Sequence, residues 1–88
     1  MAEHEHNSEK FGYINLDELA GVQEALSKLG FDPGKADGKN GPNTQKAVRA
    51  FQAHRTIKID GIVGPETRQN LVDELASKSK ETSPTGSA

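Results

Sequence analysis

Two aspartates head the same eight-residue phrase. Asp37-Gly38-Lys39-Asn40-Gly41-Pro42-Asn43-Thr44 and Asp60-Gly61-Ile62-Val63-Gly64-Pro65-Glu66-Thr67 share the pattern D-G-x-x-G-P-x-T, 23 positions apart. Three chemistries fit such a phrase. A carboxylate in a glycine loop suits calcium, but calcium takes roughly six to eight oxygens, and each loop brings one Asp, the first beside Lys39. Glycines ahead of a helix suit a phosphate, because they let backbone N–H groups approach it. Gly61 to Thr67 is reminiscent of a helix-hairpin-helix turn, yet two residues separate its glycines where that turn has one, and Glu66 would oppose a phosphate. The third chemistry is architectural. An Asp accepts from N–H groups of its own turn, Gly opens backbone conformations closed to other residues, and Pro starts a helix. On this reading Asp37, Asp60, Thr44, Thr67 and Gln52 are structural hydrogen-bonders, and it is the reading preferred here.

The other reactive side chains do not assemble into a catalytic set. The chain has no Cys, which removes disulfides and thiolate chemistry. His54 and Arg55 fall in the last turn of an expected helix, where the helix dipole favours cations, and no nucleophile or second base stands at a suitable spacing from His54. Glu3-His4-Glu5-His6 has metal-ligand residue types, but all come from one polar stretch rather than from pre-placed elements. No metal, no cofactor and no enzymatic activity are expected.

The elements that position the two phrases can be read from spacing. Leu16, Leu19, Val22, Leu26 and Leu29 recur at intervals of three and four and predict a helix over 16–29. Asn15 is its expected N-cap, with Ile14 packing on Leu19 and Glu18 closing a variant capping box. Gly30 and Phe31 predict a Schellman stop, with Phe31 folding back on Leu26. Pro42 to Arg55 predicts a second helix, with Ala47, Val48 and Phe51 facing inward. Thr56 to Asp60 alternates apolar and polar residues and predicts a short extended link with one or two sheet bridges. A third helix is expected from Pro65, with Leu71 and Leu75 inside. The predicted core is Leu19, Val22, Leu26, Leu29, Phe31, Val48, Phe51, Ile57, Ile62, Val63, Leu71 and Leu75. Residues 1–13 and 77–88 are polar and aperiodic, so both are expected to be disordered tails around one domain at 14–76.

Bulk properties agree with a small binding domain. The 88 residues are 32% hydrophobic and carry a net charge of −2. That charge is uneven: residues 28–58 hold seven basic and two acidic groups, net +5, between acidic flanks. A basic middle can face an anionic polymer, although a solvated helix face is the simpler account. No run approaches the roughly 18 apolar residues of a membrane span. The acidic start Met1 to His6 lacks the apolar segment of a signal peptide.

A family resemblance rests on residues that line up in order: Val22-Gln23, Ala25-Leu26, Leu29-Gly30-Phe31, Pro33-Gly34, the first phrase, Ala47-Val48-x-x-Phe51-Gln52, Ile57-x-Ile59, the second phrase and Leu71. Together they resemble the peptidoglycan-binding domain that accompanies bacterial cell-wall hydrolases. The resemblance covers about residues 16–75. It implies a mainly α fold, a small three-helix bundle with two glycine-rich corners and a short extended link. It also implies a non-catalytic, monomeric module of the periplasm or cell envelope that holds glycan or stem peptide beside a separate cell-wall enzyme. Asn40, Thr56 and Arg68 stand where the family usually has a large apolar residue, Gly and Trp. The expected ligand contacts are Lys39, Asn40, Asn43, Arg49 and Lys58, exposed donors near the first corner and the basic middle. A second reading is a protein-interaction or scaffolding module on the same fold, suggested by the lack of Trp and the single Tyr. A DNA-binding helical domain ranks third, because the net negative charge opposes nucleic acid.

Overall fold

The computed structural model describes residues 3–80. A hairpin of strands β1 (Glu5–Ser8) and β2 (Gly12–Asn15) precedes three helices, α1 (Leu19–Lys28), α2 (Pro42–His54) and α3 (Pro65–Lys80). The architecture is the expected small three-helix domain, with the hairpin added to it and packed against α1 and α3.

The hairpin stands where the sequence led us to expect a disordered tail over 1–13, and it corrects that expectation for residues 3–13; residues 1 and 2 lie outside the described residues. Its strands are antiparallel, with Glu5 opposite Asn15, His6 opposite Ile14 and Ser8 opposite Gly12. Ser8 Oγ accepts the Phe11 N–H at 3.1 Å and tightens the connecting turn. Polar strand residues concealed the hairpin in the sequence, because only His6 and Ile14 of its length turn inward, and both are buried. Asp17 then pins the first strand. Its Oδ2 accepts the Glu3 and His4 N–H groups at 2.6 and 3.3 Å, and its Oδ1 lies 2.9 Å from His4 Nδ1. The end of β2 presses on α1 so closely that a Cβ at Gly21 would collide with the Asn15 carbonyl.

This hairpin also moves the start of α1. Asn15 was the expected N-cap, but its Oδ1 accepts the Asp17 N–H at 2.9 Å in a separate turn, and the helix begins at Leu19 with no side-chain cap. Leu16 is therefore a core residue of the connection, fully buried, rather than the first helical turn. At the other end of the chain, α3 continues through Lys80, so residues 77–80 of the expected second tail are helical. Residues 81–88 lie outside the described residues.

The core is built from Ile14, Leu16, Val22, Ala25, Leu26, Ala47, Val48, Phe51, Leu71 and Leu75, with Leu19, Leu29, Phe31 and Val63 partly buried around it. Phe31 meets Phe51 edge to face at 5.7 Å. Ile62 was expected in this core and is 65% exposed. Its backbone is held in the second corner with the side chain turned outward, so its apolar character is available to something other than the fold.

Two helices end in the same way. Phe31 N–H donates to Leu26 O at 2.8 Å and Gly30 N–H to Ser27 O at 3.1 Å, a Schellman motif with Gly30 at φ 91. After α2, Ile57 N–H donates to Gln52 O at 3.0 Å and Thr56 N–H to Ala53 O at 3.1 Å, the same motif with Thr56 at φ 60. The link from Thr56 to Asp60 is held by this stop and forms no strand. A β-branched residue at positive φ is strained by about 1–2 kcal/mol, part of which glycine loses again to the entropy of the unfolded chain. Thr56→Gly is expected to raise stability by about 0.5–1 kcal/mol, read as a higher urea midpoint at unchanged m-value.

Candidate functional site

The site is framed by two buried glutamines. Gln23 on α1 and Gln52 on α2 are each 1% exposed, and a buried amide must satisfy both its donors and its acceptor. Gln23 Nε2 lies 2.9 Å from Lys39 O, 2.9 Å from Thr44 Oγ1 and 3.3 Å from Asp37 Oδ1, while its Oε1 accepts the Gly38 N–H at 2.8 Å. Gln52 repeats the arrangement. Its Nε2 lies 3.0 Å from Asp60 Oδ1, 3.1 Å from Ile62 O and 3.1 Å from Thr67 Oγ1, and its Oε1 accepts the Asp60 and Gly61 N–H groups at 3.1 and 3.0 Å. An N–H only donates, so the atom facing Gly38 or Gly61 is the oxygen, and the amide orientation follows.

The aspartates and threonines complete each corner. Asp37 Oδ1 accepts the Lys39 N–H and Asp60 Oδ1 the Ile62 N–H, both at 2.9 Å. Thr44 Oγ1 donates to Pro33 O at 3.2 Å and Thr67 Oγ1 to Ile62 O at 3.4 Å. These contacts hold Asp37 and Asp60 to structural work, as the sequence led us to expect. They also answer the phosphate reading: the N–H groups of Asp60, Gly61 and Ile62 are already spent on Gln52 and Asp60.

A cleft of about 420 Å³ opens between the two corners. Asn40 lines it from the first corner and Ile62 and Val63 from the second; Gln45 and Arg49 contribute from α2, Arg68 from α3 and Leu19 from α1. The Arg49 guanidinium lies over the bare face of Gly61, where a Cβ would sit 3.0 Å from Nε and 3.1 Å from Cζ. Gly61, at φ 72, thus provides both the turn and the space. Neither Arg49 nor Arg68 is hydrogen-bonded or ion-paired through its side chain to any described residue, and Arg68 Nε is buried without a partner. The His4–Asp17 pair and the His54–Glu74–Arg55 group lie elsewhere.

Of the five expected contact residues, the fold brings Asn40 and Arg49 together in this cleft. Lys39 and Asn43 line a neighbouring cleft of about 330 Å³ with Pro33 and Lys35. Lys58 lies on a third, beside Gly64, Pro65 and Glu66. Gln45, Ile62 and Arg68 also line the cleft and were not among the expected contacts. The repeat did carry a signal for two of them, because Gln45 and Arg68 directly follow the threonine of each phrase.

The lining is suited to binding rather than to reaction. Guanidinium groups only donate, and the amides both donate and accept. Asp60 is held below the usual carboxylate range by the Ile62 N–H and by Gln52, and Asp37 likewise by the Lys39 N–H and, more weakly, by Gln23. Burial pushes the Glu74 carboxyl up, but hydrogen bonds from His54 and Arg55 together bring it below its ordinary value. His4 and His6 are engaged within the hairpin, with Asp17 and Ser8. Among the described residues no group of His, Asp and Glu is placed to hold a metal, and no helix is long and apolar enough to cross a membrane.

The family described as "Putative peptidoglycan binding domain" matches residues 15–71. The chain is 40% identical over 55 residues to the N-acetylmuramoyl-L-alanine amidase CwlM of Mycobacterium tuberculosis, covering 62% of this chain and 14% of that protein. It is 40% identical over 57 residues to the spore cortex-lytic enzyme of Bacillus subtilis, covering 64% and 19%. It is 45% identical over 72 residues to the type VI secretion system spike protein VgrG3 of Vibrio cholerae, covering 67% and 7%. The chain thus spans less than a fifth of the length of each of these relatives.

Two outcomes check the frame. Gln52→Leu leaves the part-buried Asp60 and Gly61 N–H groups without an acceptor and removes a donor from the Thr67 hydroxyl, and at about 1–3 kcal/mol for a buried group left unpaired it is expected to cost about 2–3 kcal/mol, measured by chemical denaturation. Gln23→Leu should behave alike. The second concerns acid. Carboxyls whose folded pKa is depressed stabilise the fold above their ordinary value and lose that contribution as pH falls through the folded value. Stability should therefore drop between about pH 5 and pH 2, and Asp37→Asn with Asp60→Asn, which keep the acceptor but not the charge, should flatten that limb of a urea-midpoint profile.

Proposed function

We propose that this chain, which belongs to the peptidoglycan-binding domain family, holds cell-wall polymer in the cleft between its two corners. The observation that carries this reading is the convergence of Asn40, Gln45, Arg49 and Arg68 on one cleft, with the side-chain charges of both arginines unpaired among the described residues. Asn40 and Gln45 meet N-acetyl groups and sugar hydroxyls. Ile62 offers an apolar surface to a sugar ring or a peptide side chain. Lys39, Asn43 and Lys58 flank the cleft and extend the contact along the polymer.

The mechanism is tethering. Weak polar contacts on a repetitive polymer raise the local concentration of whatever the domain accompanies. The relatives named as an amidase and a cortex-lytic enzyme support the view that this partner is a cell-wall enzyme. On this reading the domain works as a monomer in the cell envelope, without a cofactor and without catalysing a reaction itself. A second reading, a protein-interaction module on the same fold, is favoured by Ile59 and Ile62, which are 57% and 65% exposed.

Pelleting with purified insoluble peptidoglycan decides between them. The first reading expects the protein in the pellet, and release by excess soluble muropeptide. Protein left wholly in the supernatant at low salt would leave the interaction-module reading in its place.

A further inference from the structure

We propose that Arg49 and Arg68 form a clamp for a carboxylate, and that the carboxylate is the free C-terminus of a peptidoglycan stem peptide. This inference rests on the cleft being the polymer-binding face, as proposed above, and names the part of the polymer it selects.

Three observations carry it. First, neither guanidinium group is tied into the hydrogen-bonded frame. They have no side-chain hydrogen bond or ion pair to a described residue, and Arg68 Nε is buried with no acceptor at all. Leaving a charged donor desolvated and unpaired is costly, and an anion on the terminal nitrogens of the same group offsets that cost. Second, the charge in the cleft suits a monoanion. Asp60 lines the cleft with the two arginines, and its Oδ1 is occupied by Gln52 and the Ile62 N–H, so one positive charge is in excess. A dianionic phosphate would exceed that balance, whereas a single carboxylate matches it and fits the planar guanidinium fork. Third, Leu19, Ile62 and Val63 place aliphatic surface beside the two cations. A carboxylate carrying a small apolar side chain, as on a terminal D-alanine, presents both features at once. The wall of the cleft also fixes one partner: Arg49 stands over Gly61, the position in the second corner that leaves space for its guanidinium.

The test is calorimetric titration of the intact protein with a synthetic stem tetrapeptide ending in D-alanine, the same peptide amidated at its C-terminus, a disaccharide-peptide, and inorganic phosphate. The clamp expects the free acid to bind about tenfold tighter than the amide, the scale of one charge-assisted pair. Arg49→Gln and Arg68→Gln should each weaken the free acid by about the same factor and abolish the difference between acid and amide. Arg68→Lys should restore part of it, because charge returns without the fork. Lys28→Gln, an equal change of net charge on the last turn of α1, should leave the titration unaltered. Since neither arginine bonds to the fold, the variants should melt with the parent; if they do not, the acid-against-amide comparison on the parent protein still decides. Equal binding of acid and amide, with the disaccharide-peptide still bound, overturns the clamp and leaves the polymer-binding reading intact. Competition by phosphate at the concentrations at which the peptide binds overturns it in favour of a general anion site. Failure to bind the disaccharide-peptide and insoluble peptidoglycan alike removes the reading beneath it.

Discussion

A primary amide buried to 1% exposure has two protons to donate and an oxygen that must accept, and no water to take either. Gln23 and Gln52 meet that constraint in the same way, each by drawing in the backbone of a D-G-x-x-G corner. The rest of the domain depends on these two solutions. Each glutamine stands on one helix and fixes the approach to the next, so α1 sets the launch of α2 and α2 sets the launch of α3. The aspartate and threonine of each phrase exist to finish the network: a half-satisfied buried network costs more than an apolar replacement. Gln52 serves twice, since its carbonyl also receives the Ile57 N–H that stops α2.

A rigid frame of this kind leaves side chains free to vary on its rim. The two corners present different residues at equivalent positions, Lys39-Asn40 in the first and Ile62-Val63 in the second. The cleft between them mixes the two sets: it is lined by the amides of Asn40 and Gln45, the aliphatic side chains of Leu19, Ile62 and Val63, and a guanidinium from each of α2 and α3. Nothing in the hydrogen-bonded frame uses those guanidinium groups. The two guanidinium groups of the cleft and the hydrogen-bonded frame therefore use separate atoms.

Much of this was legible in the sequence because the relevant residues act locally. Gly30 and Phe31 specify a Schellman stop within six residues of backbone, and Pro42 and Pro65 mark helix starts through their own geometry. The repeated phrase gave the two corners, and turn chemistry gave the structural part of Gln52; the family resemblance added the three-helix arrangement around them. Three features were hidden by non-local causes. The hairpin needs His6 opposite Ile14 and Asp17 reaching back to residues 3 and 4, and none of these partners is adjacent in sequence. The same hairpin claimed Asn15 for another turn and delayed α1 to Leu19. Ile62 was read as core from its apolarity alone, whereas its corner directs the side chain outward. Of the expected contacts, Asn40 and Arg49 share the cleft; both were named as exposed donors near the first corner and the basic middle. Arg68 was noticed only as a departure from the family pattern, and its place beside Arg49 depends on how α3 leaves the second corner.

The central claim is that the glutamine-clamped corners are the fixed frame and that the cleft between them is the contact surface. Heteronuclear shift mapping of the domain with a soluble muropeptide, following backbone and side-chain amides together, tests both halves in one measurement. The account predicts shifts at Asn40, Gln45, Arg49, Ile62 and Arg68, with the Gln23 and Gln52 side-chain amides protected from exchange and unmoved throughout. Shifts centred on Lys39 and Asn43 or on Lys58, or glutamine amides that exchange as freely as those on the surface, would contradict it.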